Sequence, residues 1–302
     1  MTQTVTAAVG RIWQEGRRVE RAAYVVGAVL FASGVVNAVV LLASGGTWLG
    51  PVSLRKAVTF GLSFGLTLAS VAWATSYLSV KPRLRATLLG AFLVACVGEV
   101  VLVTMQAWRG VPSHFNFETG FDTVVSTSLA AGGGVLVLTA LGFTAAAFLS
   151  PGALAPSMRL AVRFGLVVLM VALATGAVMI ARGVTEARGG DAQLAYTTAG
   201  ALKPLHAVAM HAILVLPGLA WLLRFTDLPE RTRLTIVRVA VAADAVLTAV
   251  IGIEAFAGIP PFGAPPAYLA LSAAAFAVLA GTGVFSLMRI KNRAGYFSAS
   301  NP

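Results

Sequence analysis

Eight long apolar stretches, each followed by a short polar segment, dominate the chain. They run approximately over 22–44, 54–78, 85–108, 122–149, 159–181, 202–224, 233–257 and 266–288. At about 1.5 Å rise per residue, each is long enough to cross about 30 Å of hydrocarbon as an α-helix. A segment in lipid must also satisfy its own backbone polar groups, which a helix does internally. The pattern therefore predicts an all-α, polytopic transmembrane helix bundle of eight spans over 22–288. Residues 1–21 are polar and carry Arg11, Arg17, Arg18 and Arg21. They lack a short apolar core with a small-residue cleavage site, so they read as an amphipathic lead-in and not as a cleavable signal. Residues 289–302 form the tail.

Composition agrees with this reading. With 58% hydrophobic and 11% charged residues, the chain lacks the polar surface of a soluble domain. The net charge of +11 would suggest nucleic acid in a soluble protein. Between apolar spans, the basic residues are better explained by anionic lipid headgroups and by the orientation bias of insertion, so the lipid bilayer is the expected partner and no nucleic acid is. Sixteen Lys and Arg fall on the side of the termini and six on the other. Both termini are therefore expected in the cytoplasm, with the protein in the cell (plasma) membrane. Residues 109–121 and 182–200 then face outward. Cys96 is the single cysteine, which excludes an intrachain disulfide and a thiolate metal cluster.

Candidate chemistry lies in polar residues where lipid disfavours them, since a charge at the bilayer centre costs at least about 2.5–3.5 kcal/mol. Glu99 stands ten residues before Arg109 and thus about 15 Å from that end of its helix. Gln106 follows on nearly the same face. Asp244 lies in the middle of the seventh span, where Asn37 is one candidate partner, whereas Glu254 is near enough to the interface to be solvated. Glu99, Gln106, Asp122 and Asp244 are the candidate catalytic residues, with Glu99 or Asp244 moving protons.

The outer segments add a second set. His114 sits in the run Arg109-Gly110-Val111-Pro112-Ser113-His114-Phe115-Asn116, whose Gly and Pro favour a turn. His206 and His211 follow Lys203-Pro204. Five residues rotate a helix so that the two imidazoles diverge by about 140° and stand about 7.5 Å apart along the axis, which excludes a shared ion on one regular helix. His206 and Met210 do share a face and could offer nitrogen and sulfur to copper or haem iron. Arg55 and Lys56, after the candidate N-cap Ser53, form a positive helix start on the disfavoured side. With Arg109 and Asn116 they are candidates for holding an anionic group, such as haem propionates; Glu118, Asp122 or Glu254 could offset them instead. His114, His206 and His211 are the candidate metal ligands, and haem or a transition metal ion the candidate cofactor.

Glu99, Gln106, Arg109, the Ser113-His114-Phe115-Asn116 run, Asp122, Lys203, His206 and His211 together resemble a bacterial group of multi-pass membrane proteins that has an Arg-Gly, Ser-His-Phe-Asn outer loop. The resemblance covers the third to sixth spans and implies no particular reaction. A fainter echo lies inside the chain: Lys56 opens the second span with Trp73 following, and Lys203 opens the sixth with Trp221 following. Four plus four parallel repeats would produce it.

Two function classes follow, both with a small-molecule or ion ligand at the outer face. The first is an outward-facing metal- or haem-dependent membrane enzyme or electron carrier. The second is a proton- or ion-coupled transporter using Glu99 and Asp244, with Gly132-Gly133-Gly134 and Pro217 as bending points; the gathering of polar residues at one face argues against it. A structural subunit of a membrane complex is the third alternative.

Overall fold

In the computed structural model the eight expected spans are eight helices, preceded by one short helix. The structure describes residues 5–50, 52–149, 154–190, 195, 200–260 and 263–299, with side chains as far as residue 290. Of the expected outer segment 182–200, residues 191–194 and 196–199 lie outside the described residues, as do 300–302 of the expected tail. The helices are α1 (Val5–Glu15), α2 (Arg18–Ala43), α3 (Arg55–Ser76), α4 (Pro82–Trp108), α5 (Gly120–Leu149), α6 (Pro156–Arg188), α7 (Lys203–Leu223), α8 (Glu230–Phe256) and α9 (Pro266–Ala299). No strand occurs among the described residues. From α2 onward every helix has the length and hydropathy to cross a bilayer.

Local sequence explains where the helices start and stop. Pro82, Pro156 and Pro204 occupy first-turn positions, where a missing N–H costs no hydrogen bond. Four ends are followed by a glycine of positive φ: Gly45 (63°) after α2, Gly110 (68°) after α4, Gly190 (92°) after α6 and Gly258 (71°) after α8. After α4 and α8, Val111 N–H donates to Gln106 O and Ile259 N–H to Glu254 O, which satisfies carbonyls left over at the helix ends. Two boundaries differ from expectation. α6 continues past residue 181 to Arg188, and α9 continues past residue 288 to Ala299.

α2 and α3 pack backbone to backbone. A Cβ on Gly65 would lie 2.5 Å from Gly27 O, and one on Gly61 would lie 2.5 Å from Gly34 N. Small residues permit this approach where lipid offers no hydrophobic drive between helices. α6 and α7 cross in the same manner at Gly165, whose Cβ would lie 2.9 Å from Ile213 Cα.

These two crossings belong to a larger duplication. α2, α3 and α4 pack against one another with α5 on α4; α6, α7 and α8 pack against one another with α9 on α8. α3·α7 and α5·α6 contacts join the two units. The numbering shift that carries Trp73 onto Trp221 also carries Arg55 onto Lys203, Arg83 and Arg85 onto Arg231 and Arg233, and Gly110 onto Gly258. Contacts repeat in the same register. Trp73 meets Tyr77 edge-on at 5.7 Å, and Trp221 meets Phe225 edge-on at 4.9 Å. Arg85 donates to Leu78 O, and Arg233 to Thr226 O. Packing thus aligns Lys203 with Arg55, one position from the Lys56 match suggested by the sequence. The two units meet where Trp73 and Trp221 touch at 6.3 Å, nearly perpendicular. α3 and α7 run in the same direction along this seam.

The close crossing gives a direct test. Gly61→Val or Gly65→Val should destabilise the bundle by about 3 kcal/mol, seen as a lower melting temperature in detergent, because the backbones cannot separate without losing the packing. Gly98→Val, where a Cβ meets nothing within 4 Å, should melt close to the parent.

Candidate functional site

The segment between α4 and α5 is fastened by the polar residues that the sequence marks out. Asp122 Oδ1 accepts from Gln106 Nε2 (2.8 Å) and from the Arg109 guanidinium (2.7 Å), and Oδ2 accepts from Thr119 Oγ1 (2.7 Å). Thr119 Oγ1 in turn accepts the Asp122 N–H, and Arg109 also donates to Gln106 Oε1. The Arg109 guanidinium lies over Phe121. Asn116 closes the turn: its Oδ1 accepts from Glu118 N–H and its own N–H donates to Ser126 Oγ. Gln106, Arg109 and Asp122 therefore meet in one network and Asn116 in a second, and both hold the segment. Phe115 sits at φ 61°, an uncommon value for a non-glycine residue, and presses on Gly183, where a Cβ would lie 2.3 Å from the ring.

This segment turns His114 inward. Its ring lies 5.7 Å from Phe60 of α3 and 5.9 Å from Phe115, with Nδ1 2.9 Å from Ser113 Oγ. Burial, and then the charge of Lys56, hold its pKa down at about 3. Beside it lies a cavity of about 230 Å³ bounded by Phe115, Phe117, Ser126, Thr127 and Arg188. Lys56, Arg55 and Lys203 stand close enough to repel one another where the first turns of α3 and α7 meet. Ser53 Oγ accepts the Arg55 N–H, in keeping with its expected capping role. Asp122, one candidate to offset this cluster, pairs with Arg109 instead.

Two carboxyls lie deep between helices. Glu99 is buried and faces Gly132 of α5, where a Cβ would come 2.8 Å from Oε1. α5 runs unbroken through Gly132-Gly133-Gly134, and Gly132 makes room for Glu99. Asp244 is also buried, and its Oδ2 and the Thr248 Oγ1 one turn away have no hydrogen-bond partner among the described residues. Asn37, the expected partner of Asp244, is engaged elsewhere: Nδ2 donates to Ser33 O and Oδ1 accepts from Trp108 Nε1. Glu254 departs from expectation. It is 4% exposed and not solvated; Leu202, just before α7, and Leu205 of α7 pack with the adjacent Ala255 at this end of α8.

The remaining histidines separate as the helical geometry requires. His206 Nδ1 lies 2.7 Å from Ala172 O on α6, with Gly176 making space beside the ring. His211 is exposed, its Nδ1 2.6 Å from Ala207 O in its own helix. Met210 packs into the main apolar core. No three His, Cys, Asp or Glu side chains converge on a metal-sized space among the described residues. The donor set is thus a poor fit to a metal or haem held by His114, His206 and His211 together. Comparison with protein-family models, curated proteins and solved structures gives no match.

The sequence reading overlooked the opposite end of the bundle. Arg85, counted among the basic residues between spans, is 1% exposed. It donates to Thr75 O (2.6 Å) and Leu78 O (2.5 Å) and lies 3.4 Å from Glu20 Oε1. Beside it a cavity of about 600 Å³ opens between α1, α2, α3 and α7. The repeated Trp with an aromatic residue four positions on was the sequence signal for it.

His114 supplies a pH test. An unfolded histidine titrates near 6.5. Between that value and about 3 the unfolded chain binds the extra proton, so stability falls as pH falls through this window, by at most about 1.4 kcal/mol per pH unit. Melting curves of His114→Asn in nanodiscs should fall less steeply than the parent between pH 6.5 and 4.5; equal slopes would remove His114 as the cause.

Proposed function

We propose that this integral membrane protein is a proton-coupled carrier of a small anion, set in the plasma membrane with both termini cytoplasmic and the His114 end outward. The carrying observation is the arrangement along the α3·α7 seam. A basic cluster of Arg55, Lys56 and Lys203 lies at one end, and an arginine-bearing cavity walled by the Trp73·Trp221 contact at the other. The objection that polar groups gather at one face loses its force with that second opening. Glu99 and Asp244 supply the proton sites. The shift that relates the two units carries Cys96 onto Asp244, so the carboxyls stand one turn apart in equivalent helices. Parallel repeats about an axis along the membrane normal suit rocking of one unit against the other. A protonated carboxyl crosses lipid at far lower cost than a carboxylate, which links proton binding to movement.

The metal- or haem-enzyme reading has less support. It needs His206 with His114 or His211 on one bound group, yet His206 Nδ1 is turned to Ala172 on α6 and His211 lies exposed.

Reconstituted protein should collapse an imposed pH gradient faster than protein-free liposomes when a transported anion is present. Glu99→Gln, which keeps hydrogen-bonding shape but cannot ionise, should lower that rate at least tenfold with an unchanged melting temperature. Parent-like rates in the Gln variant would assign Glu99 to packing. A Soret band or stoichiometric copper or iron in purified protein would restore the enzyme reading.

Orientation is tested separately. A cysteine at Gly120 should react with an impermeant thiol reagent in intact cells, and cysteines at Pro82 and Pro229 should not. The reverse pattern would invert the whole assignment.

A further inference from the structure

We propose that the cavity beside Arg85 is a binding site for an organic anion with an aromatic or apolar body, its acid group on Arg224 and Arg11 and its body against Trp73, Tyr77 and Trp221. At about 600 Å³ the cavity is in the range that holds a small molecule and far exceeds a packing flaw. Its walls are rigid: Trp73 packs edge-on to Tyr77 and Trp221, and Trp221 edge-on to Phe225. Such rings offer large apolar area at little cost in side-chain freedom.

The charge is equally directed. Glu20 lines the cavity but is occupied: Oε1 meets Arg17 at 2.8 Å and Arg85 at 3.4 Å, and Oε2 accepts the Arg17 N–H at 2.8 Å. That leaves Arg11 and Arg224 facing the space against Glu15 alone. A guanidinium at the rim and aromatic walls behind it select an acid group joined to an apolar body over a bare inorganic ion. The Tyr77 hydroxyl completes the set: it stands against Arg224 and Trp73 on the cavity wall, where it can donate to a bound acid group. α1 walls one side through Ala8, Arg11 and Ile12, which gives the amphipathic lead-in a place in the site.

A soluble aromatic acid and an anionic lipid headgroup share this chemistry, and one experiment separates them. Full-length protein in phosphatidylcholine nanodiscs would be titrated with phenyl phosphate, following tryptophan fluorescence and heat. The expected result is saturable binding, one per chain, with a Kd below about 1 mM. Inorganic phosphate should bind at least tenfold more weakly. Arg224→Gln, at an exposed side chain, and Trp221→Phe should each weaken phenyl phosphate at least fivefold with an unchanged melting temperature. Competition by phosphatidylglycerol in the nanodisc would identify a lipid headgroup as the occupant, and its absence a soluble acid. Lack of saturable phenyl phosphate binding in either nanodisc, or binding unchanged in Arg224→Gln, would overturn the proposal. Binding is read at equilibrium, so the result is independent of whether the protein moves anything across the membrane.

Discussion

The fold depends on how two helix turns keep their carbonyls bonded beside lipid. Each helix end leaves acceptors unsatisfied, and in a low-dielectric setting each such group costs several kcal/mol. Arg85 answers this in the first unit by reaching from α4 to the carbonyls of Thr75 and Leu78, where α3 ends. Arg233 does the same in the second, from α8 to Thr226 beyond α7. A guanidinium buried as far as Arg85 needs an opposing charge, which Glu20 gives from α2; the partly exposed Arg233 has Glu230 at 4.0 Å. One residue thus ties three helices together in the first unit. Because Trp73 and Tyr77 stand on the turn so held, the clasp also sets the ring contact on which the two units meet.

The glycine crossings complete this frame from the other direction. With α2 and α3 in backbone contact at Gly27, Gly34, Gly61 and Gly65, α3 cannot move without α2. Gly165 has the same effect for α6 and α7. Motion is therefore cheapest between the units, along α3·α7, and not within them. That seam is where the basic cluster, the tryptophan pair and the large cavity lie.

Spans were legible in the sequence because twenty apolar residues in a row have few other uses, and the buried carboxyls were legible because they break such runs. The polar loop was legible as dense chemistry but not as to purpose. In the sequence Gln106, Arg109, Asn116 and Asp122 read as candidates for chemistry; in space Gln106 and Arg109 bond to Asp122, and Asn116 holds the turn that carries His114. Arg85 was hidden for the opposite reason. A basic residue between two spans has the same signature whether it reaches lipid phosphate or turns inward to carbonyls, and only the position of Glu20, on another helix, decides between them. The cavity drew its lining from α1, α2, α3 and α7, so no local window contained it. The duplication was faint because apolar positions exchange freely, while the glycine turns and the arginine clasps kept their register.

The repeat is informative where it fails. Equivalent positions hold Arg85 and Arg233, Trp73 and Trp221, Gly110 and Gly258, yet Glu99 corresponds to Leu247 and Asp244 to Cys96. The retained pairs are those that end helices or join the units, which both copies require in order to fold. The carboxyls are not needed for folding in both, since each has an apolar or thiol counterpart that the other unit buries equally well: Cys96 is fully covered, and Leu247 is 8% exposed. A buried carboxyl that the paired unit does without, and that has no ion pair among the described residues, is an expense the architecture does not impose. The proposed carrier would put that expense to use, since proton coupling requires a titratable group at that depth.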